Sequence, residues 1–294
     1  MLGSHLLGIY EKAMDPRDDW ATRLRKAKMM GFDFVEISID ESDERLARLD
    51  WPSAKIEELR RECTRTGVAL QSMCLSAHRR FPLGSADPEV RRRARQILQQ
   101  AIDLAWSLGI RVIQLAGYDA YYEPSTAETA RHFREGLRWA VRAAGQKQIM
   151  LAMEVMDTPF LNSISRNMSY EAMLRSPWYR VYPDLGNLSA WPENDVAYEL
   201  ERGIGSIVGI HLKDTLAVRE GFPGEFKGVP FGEGCVDFAG NFARLEALGY
   251  TGPYLIEMWY ESGQDDCSEI RKAKTWLEEQ FASAGIQMGG MKNA

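Results

Sequence analysis

Short apolar segments alternate with longer amphipathic segments along this whole chain, and this alternation most restricts the fold it can adopt. The apolar runs lie about 25 to 45 residues apart, and each precedes apolar residues at helical spacing. We predict strands from these runs over residues 6–10, 34–39, 68–75, 111–116, 148–155, 179–183, 207–212 and 254–258. The helices predicted after them cover residues 20–30, 53–66, 88–108, 127–144, 169–174, 195–202, 238–248 and 268–284.

Glycines mark the ends of several predicted helices. Gly31, Gly67, Gly109 and Gly249 each follow such a segment, where a left-handed C-cap favours glycine. Eight alternating units with no change in composition favour one closed parallel barrel over two doubly wound halves. The sequence therefore predicts an α/β fold, a (β/α)8 TIM barrel, as a single domain over residues 1–294 with a flexible tail from about residue 286 to residue 294.

Charge and hydropathy exclude several classes of protein. The 294-residue chain has 36 Lys and Arg against 42 Asp and Glu, a net charge of −6, which argues against a nucleic-acid partner. We expect no membrane partner either, because no apolar stretch approaches the roughly 18 residues of a membrane span. The apolar run at residues 6–9 is too short for a signal peptide. Since the four cysteines have no CxxC spacing, we expect reduced thiols in a cytoplasmic protein.

Ionisable side chains stand at the carboxyl ends of four consecutive predicted strands, the fifth to the eighth. They are Glu154, Asp184, His211 and Glu257, at successive spacings of 30, 27 and 46 residues. In a parallel barrel these strand ends meet at the rim that carries the active site. A solvated or salt-bridged residue is an ordinary explanation for any one of them, but four on adjacent strands indicate a common site.

Three carboxylates and one imidazole form a ligand set made mostly of oxygen. Such a set suits one divalent ion of manganese, zinc, cobalt or magnesium. The like charges would repel one another strongly if no cation neutralised them. We therefore predict that Glu154, Asp184, His211 and Glu257 hold a divalent metal ion.

Glu154 and Glu257 are also suited to moving protons. If both flank a bound substrate, one takes a proton from carbon and the other returns a proton from the opposite face. The ion would polarise the neighbouring carbonyl and hold the enediolate oxygens. That chemistry is epimerisation next to a ketone. A single base on one face would instead suit aldose–ketose isomerisation, and the spacing alone does not choose between the two.

Seven segments extend these observations to nearly the whole chain. They read LGIYEKA (7–13), GFDFVE (31–36), MCLSAHRRFPLGS (73–85), GIRVIQLAGYD (109–119), YPDLGNLSAW (182–191), VPFGEG (229–234) and GPYLIEMW (252–259). Together they resemble the L-ribulose-5-phosphate 3-epimerases, also called L-xylulose-5-phosphate 3-epimerases, of bacterial L-ascorbate utilisation. These enzymes belong to the xylose-isomerase-like barrel superfamily. The segments around His78 and Asp184 are specific to that group, whereas the four ligands alone indicate only the superfamily.

The resemblance implies an isomerase that interconverts L-xylulose 5-phosphate and L-ribulose 5-phosphate by inversion at C3. It implies that the four strand-end residues are the metal ligands and that Glu154 and Glu257 double as the acid/base pair. It also implies a small-molecule ketopentose phosphate as the substrate and a homodimer as the assembly. Epimerases of unphosphorylated ketoses usually have a histidine three residues after the metal-binding aspartate. This chain has Asn187 there, which argues against a free ketose.

A phosphorylated substrate needs a cationic anchor at the same rim. His78, Arg79 and Arg80 follow the third strand, and an arginine fork matches a phosphate dianion. We expect at least one of the three to bind the substrate, although arginine pairs often only solvate a loop. The glycine-rich connection over residues 215–237 is long enough to close over the substrate, and a flexible surface loop is the other explanation.

Four more polar residues are candidates for substrate contacts. Lys213 suits an anionic group, and an ion pair with Asp214 is an equal explanation. Asn187 can hydrogen-bond a substrate oxygen but cannot carry a proton. Glu11, just after the first strand, is expected to line the pocket. Glu36, on the second strand, is either a substrate contact or a buried acid paired with another group.

Other functions stay open on the sequence alone. A ketose or hydroxypyruvate-type isomerase would use the same barrel with a different proton path. An AP endonuclease would need several more histidines at the rim, where only His78 and His211 are well placed. A non-catalytic sugar-phosphate sensor would not need all four ligands, so their presence counts against it.

Overall fold

The strands of this protein lie where the apolar runs predict them, with one addition. The computed structural model describes residues 5–286, so residues 287–294 of the predicted tail lie outside the described residues. The strands are β1 (Leu7–Tyr10), β2 (Phe34–Ile39), β3 (Ala69–Leu75), β4 (Val112–Leu115), β5 (Met150–Glu154), β6 (Tyr179–Tyr182), β7 (Ile210–Leu212), β8 (Asp214–Leu216), β9 (Glu225–Val229) and β10 (Tyr254–Ile256). The pair β8 and β9 is the addition.

Eight of these strands form one parallel sheet that curves into a barrel. Their order is β6-β5-β4-β3-β2-β1-β10-β7, and every neighbouring pair is parallel. Parallel bridges from Val181 to Ile207 and from Asp184 to His211 join the two outer strands of that order. The predicted (β/α)8 TIM barrel is thereby confirmed, and the carboxyl ends of all eight strands meet at one rim.

Helices surround the barrel and connect its strands. They are α1 (Trp20–Met29), α2 (Asp43–Leu46), α3 (Ser53–Thr66), α4 (Pro88–Leu108), α5 (Ala127–Gln146), α6 (Ile164–Leu174), α7 (Leu185–Ala190), α8 (Val196–Gly203), α9 (Phe238–Ala247) and α10 (Asp266–Ser283). Short 3-10 helices cover Glu11–Ala13, Ala47–Asp50, Ser76–Arg79 and Ile204–Ser206. Within residues 5–286, no helix combines the length and the apolar character needed to cross a membrane.

The ends of the helices follow the local sequence signals. The predicted C-cap glycines Gly31, Gly67, Gly109 and Gly249 all have positive φ angles, between 72° and 82°. The helix predicted to start at residue 169 is longer than expected. It begins at Ile164, because the Ser163 side chain accepts a hydrogen bond from the first turn.

The interior of the barrel is filled by side chains from alternate strand positions. Tyr10, Phe34, Cys74 and Leu255 form a buried apolar cluster there. Gly8 leaves the space for the Phe34 ring, because a Cβ atom on Gly8 would lie 2.2 Å from Phe34 Cε2. A larger cluster packs the outer faces of the strands against the helices. Side-chain packing on both faces of the strands therefore holds the rim in place.

Replacing Gly8 by alanine should destabilise the barrel, because neither the Phe34 ring nor the strand backbone has room for the added methyl group. We expect Gly8→Ala to lower the free energy of unfolding by about 1–3 kcal/mol, measured by urea denaturation. Gly205→Ala is the matched control, since a Cβ atom there meets nothing within 4 Å. Equal stability of the two variants would contradict the packing argument.

Candidate active site

Four ionisable side chains converge at the carboxyl-end rim of the barrel. Glu154 is the last residue of β5, Asp184 follows β6, His211 lies in β7 and Glu257 follows β10. Each offers one ligand atom, and these atoms all lie within 4.8 Å of one another. All four residues are buried. The structure thus brings together the residues that the strand-end pattern assigned to one rim, here called the rim cluster.

Backbone pairing and a helix cap position two members of the rim cluster. Asp184 pairs with His211 where the barrel closes. Asp184 is also the N-cap of α7, and its Oδ1 accepts a hydrogen bond from the Asn187 backbone N–H at 2.6 Å. Its Oδ2 is buried and accepts no hydrogen bond within residues 5–286. One oxygen therefore orients the carboxylate while the other stays free for the rim cluster.

The charges of the rim cluster shift one another's pKa values. Burial and the neighbouring Glu257 charge raise the pKa of Glu154 well above its usual range. Burial raises the pKa of Asp184 to about 7, although the Lys213 ammonium opposes the rise. Burial would also raise the pKa of Glu257, but Lys213 and His211 hold it well below its usual range. The positive charges of Lys213 and His211 are therefore too few to keep all three carboxyl groups of the rim cluster ionised.

Lys213 supplies part of the balancing positive charge. Its Nζ lies 3.2 Å from Glu257 Oε2 and 3.5 Å from Asp184 Oδ2. Burial would lower the pKa of Lys213, but these two carboxylates raise it well above its usual range. Lys213 therefore pairs with the rim cluster and not with Asp214, the other partner considered from the sequence.

The rim cluster has the properties of a site for a divalent cation. Its donors are three carboxylates and one imidazole, a set that divalent manganese, zinc, cobalt and magnesium ions accept. A central dication would contact Asp184 Oδ2, which accepts no hydrogen bond among residues 5–286, and would lower the raised pKa of Glu154. A second acidic group, at residues 265–267, fits less well, because Asp266 is already paired with Lys26 at 2.6 Å.

Asn187 touches one glutamate of the rim cluster. Its Nδ2 donates a hydrogen bond to Val155 O at 2.8 Å and lies 3.4 Å from Glu154 Oε1. Its Oδ1 is buried and lacks a hydrogen-bond partner in the described part of the chain. This geometry leaves an acceptor available for a substrate hydroxyl beside Glu154.

The three cationic candidates after β3 have different surroundings. His78 is buried and donates from Nε2 to Ala94 O at 3.2 Å, and burial lowers its pKa to about 4. Among the three residues of which at least one is expected to bind the substrate, His78 is therefore a neutral packing residue. Arg80 is exposed and donates to Asp43 Oδ1 at 2.8 Å, which indicates the loop-solvating role that the sequence offered as the alternative.

Arg79 alone among these three combines partial burial with a free donor. Its guanidinium lies 4.8 Å from the centre of the Tyr121 ring, and its Nη2 donates to Tyr118 Oη at 3.3 Å. Its Nε is buried and has no hydrogen-bond partner among residues 5–286. Arg79 therefore has one N–H group whose hydrogen-bonding capacity is unused by the described residues.

Glu11 has a different role from the one predicted. Its carboxylate accepts hydrogen bonds from Arg23 at 2.9 Å, from Arg48 at 2.6 Å, from Arg45 and from the Ser38 backbone N–H at 2.6 Å. The residue is 0% exposed. Oε1 accepts three of these hydrogen bonds and Oε2 accepts the one from Arg23, so the fully buried Glu11 belongs to a structural ion-pair cluster and does not line the cleft as expected.

A cleft of about 580 Å³ opens beside the rim cluster, and its walls include Lys213, Glu257, Trp259 and Lys227 of β9. Lys227 Nζ lies 4.7 Å from the centre of the Trp259 ring. Burial lowers the pKa of Lys227, and the nearby charges of Lys12 and Arg79 lower it further. Lys227 thus brings a cation to the wall of the cleft, where the charges of Lys12 and Arg79 also act on it. The sequence did not reveal Lys227, because nothing distinguished it from a lysine in a surface loop.

The segment predicted as a closing loop is a hairpin tied to the barrel. Strands β8 and β9 pair antiparallel in this segment, and β8 begins at Asp214, one residue before the predicted range 215–237. Asp214 Oδ2 accepts the backbone N–H groups of Gly232 and Gly234, both at 2.9 Å. Side chains larger than glycine do not fit at residue 234, since a Cβ atom would lie 2.0 Å from Asp214 Oδ1. These bonds hold the hairpin, and with it Lys227, against the cleft.

Comparisons with known proteins agree on the fold and on a sequence family. A family model described as a xylose isomerase-like TIM barrel matches residues 24–280. SgbU of Escherichia coli (strain K12) is 56% identical over 283 residues, which cover 96% of this chain and 99% of that protein. UlaE of Shigella boydii serotype 18, an L-ribulose-5-phosphate 3-epimerase, is 54% identical over 280 residues, covering 95% of this chain and 96% of that protein.

A solved structure supports the architecture at much lower identity. The 3-keto-D-glucoside 4-epimerase YcjR of E. coli superposes with a TM-score of 0.75 at 18% identity, over 94% of this chain and 99% of that one. This likeness concerns the fold alone.

The buried neutral imidazole of His78 should make the protein sensitive to acid. Its pKa is about 4 in the folded protein and near 6.5 in an unfolded chain. The unfolded state therefore binds the proton first, and stability falls as the pH drops from about 6.5 to 4. At pH 4 this effect lowers the free energy of unfolding by roughly 3 kcal/mol.

The measurement compares His78→Gln with the wild type by urea denaturation at pH 7.5, 5.5 and 4.5. We expect the wild type to lose more stability than the variant over this range, because only the wild type has this buried base. A difference in free energy of unfolding that stays constant with pH would contradict the assignment.

Proposed function

The chain belongs to the L-ribulose-5-phosphate 3-epimerases of the xylose isomerase-like TIM barrel family, and we propose that it inverts C3 of a ketopentose 5-phosphate with the help of one divalent metal ion. The substrates would be L-xylulose 5-phosphate and L-ribulose 5-phosphate. The observation that carries this proposal is the rim cluster of Glu154, Asp184, His211 and Glu257, in a chain 54% identical to an epimerase named for that substrate.

The four residues of the rim cluster would hold the ion. When bound, a divalent ion would neutralise the carboxylates and polarise the C2 carbonyl of the ketose. Manganese, zinc, cobalt and magnesium all suit the donor set, and we do not choose among them. Lys213 keeps Glu257 ionised and oriented through the contact at 3.2 Å.

Glu154 and Glu257 are the proposed acid/base pair. Glu154 ends β5 and Glu257 follows β10. These strands are separated by β6 and β7 around the barrel, so the two glutamates reach a central substrate from different sides. One glutamate would take the C3 proton while the C–H electron pair moves toward the C2 carbonyl oxygen and forms the enediolate. The other would give a proton to the opposite face of C3. Burial of both residues limits competing exchange with water.

Lys227 and Arg79 are the proposed phosphate anchors. Arg79 has an unpartnered Nε, and Lys227 lies close enough to Arg79 and Lys12 for their charges to lower its pKa. A phosphate dianion near these groups would reduce their mutual repulsion and accept hydrogen bonds from Lys227 and Arg79, whereas Lys12 is already paired with Asp40 at 2.6 Å. Asn187 Oδ1 would accept a hydrogen bond from a hydroxyl of the same substrate.

Proton NMR in D2O tests the reaction type. We expect metal-loaded protein to convert L-xylulose 5-phosphate to L-ribulose 5-phosphate and to place deuterium at C3. Exchange at C1 with an aldose product would instead identify an aldose–ketose isomerase. No exchange with any of the four metals would support a non-catalytic sensor.

Variants of the two glutamates test the two-base mechanism. We expect Glu154→Gln and Glu257→Gln each to slow epimerisation by about 10²- to 10⁴-fold, because general acid–base catalysis contributes that much. A variant that keeps its metal, measured by elemental analysis, should still exchange the C3 proton of one epimer and not of the other. Glu57→Gln, at an exposed position on α3, is the control. Loss of exchange from both epimers by a metal-loaded variant would contradict the pair.

A matched pair of arginine variants tests the phosphate anchor. Arg79→Gln should raise the KM for L-xylulose 5-phosphate by about 10- to 100-fold, because a charge-assisted hydrogen bond contributes roughly 1.5–3 kcal/mol. Arg80→Gln should leave the KM unchanged, since Arg80 is already paired with Asp43. Equal effects of the two substitutions would contradict the assignment of Arg79.

Two broader expectations accompany this proposal. A cytoplasmic location and a homodimeric assembly remain predictions from the sequence. Light scattering of the purified protein measures the assembly directly.

A further inference from the structure

The rim-cluster residue His211 is held from inside the barrel by a buried acid. Glu36 lies in β2 and is 0% exposed. Its Oε1 lies 3.0 Å from His211 Nε2, across 175 residues of sequence. Its Oε2 accepts a hydrogen bond from Ser72 Oγ at 2.6 Å. Both oxygens of this carboxylate are therefore engaged, and neither faces the cleft.

An irregularity in the sheet produces the contact between Ser72 and Glu36. Val35 pairs with Leu70 but Ile37 pairs with Met73, so β3 has one extra residue opposite Glu36. A shift of one residue exchanges the two faces of a strand. It turns Ser72, and not Gln71, toward the interior of the barrel beside the Glu36 carboxylate. The bulge thus supplies the donor that orients Glu36.

Both ring nitrogens of His211 face a carboxylate. Nε2 faces Glu36, and because a carboxylate only accepts hydrogen bonds, Nε2 carries a hydrogen. Nδ1 faces the rim cluster, 3.5 Å from Glu257 Oε2, and is the nitrogen that would lose its hydrogen to a divalent ion bound there. The Gln114 amide does not favour either ring nitrogen, because Gln114 Nε2 lies 3.2 Å from His211 Nδ1 and 3.3 Å from His211 Nε2.

We propose that Glu36 is a positioning residue that keeps the hydrogen on Nε2 of His211 and so presents Nδ1 to the divalent ion. This inference rests on the metal site of the proposed function. A metal ion binds an imidazole nitrogen only where that nitrogen carries no hydrogen, and a carboxylate on the other nitrogen fixes the tautomer and the ring orientation. Glu36 would therefore act on metal binding without touching the metal or the substrate.

Zinc binding without substrate tests the inference. We expect Glu36→Gln to raise the Kd for Zn²⁺ by about 10- to 100-fold, the usual effect of losing such a partner. Ser72→Ala should raise the Kd less, because it removes only the donor that orients Glu36. Glu199→Gln is the matched control, since Glu199 is also buried and accepts a hydrogen bond from a serine, Ser165 at 2.8 Å, away from the rim cluster.

The nitrogen NMR signals of the His211 ring in the zinc-loaded protein report which ring nitrogen binds the zinc. A purely structural role of Glu36 would not change this property. Zinc on Nδ1 and hydrogen on Nε2 in the wild type would support the inference. Zinc on Nε2, or a Glu36→Gln Kd within twofold of the wild-type value, would overturn it. If Glu36→Gln does not fold, an unchanged Kd in Ser72→Ala overturns it as well. A wild-type protein that binds no divalent metal would instead show that the proposed metal site is wrong.

Discussion

The mutual repulsion of three buried carboxylates at one rim is the constraint around which this structure is arranged. Two like charges 4 Å apart repel by about 4 kcal/mol at an effective dielectric constant near 20. Glu154, Asp184 and Glu257 have ligand atoms within 4.8 Å of one another. Lys213 is in ion-pair contact with two of these carboxylates, and His211 lies beside Glu257. Lys213 and His211 are therefore placed where positive charge lowers this repulsion.

The Glu11 cluster shows the opposite balance of charge in the same barrel. There one carboxylate accepts hydrogen bonds from three arginines, so the protein supplies more than enough positive charge itself. At the rim cluster, one lysine and one histidine face three carboxylates. Burial is nearly complete at both places, so the difference lies in the ratio of charges. A carboxylate already paired with three guanidinium groups does not attract a further cation, whereas the rim cluster would do so in the proposed metal site.

The fold and the rim cluster were predictable for the same reason. Strands such as β5 and β10 appear as short apolar runs, and the polar residue that ends each run must lie at the common rim of a parallel barrel. Contacts between side chains on different strands of the barrel, in contrast, produce no recognisable pattern in the sequence. The hydrogen bond from Ser72 that orients Glu36 depends on a bulge in β3, and the neutral state of His78 depends on its burial against α4. Neither the bulge nor that burial follows from the order of apolar and polar residues.

The segment around Lys227 shows a second limit of sequence reasoning. Glycines and charged residues over 215–237 indicate a loop, yet Asp214 binds the backbone N–H groups that follow β9 and so fixes a hairpin. This hairpin changes the electrostatics of the site, because it places Lys227 on the wall of the cleft, where the charges of Lys12 and Arg79 also act on it. The cleft wall combines the cations Lys213, Lys227 and Lys272 with the carboxylates of Glu261, Asp266 and Glu269. In the proposed reaction, the charge of Lys227 would attract the phosphate of a ketopentose phosphate, and the carbonyl end would face the rim cluster. Orientation of the substrate would then follow from the placement of charges before any specific hydrogen bond forms.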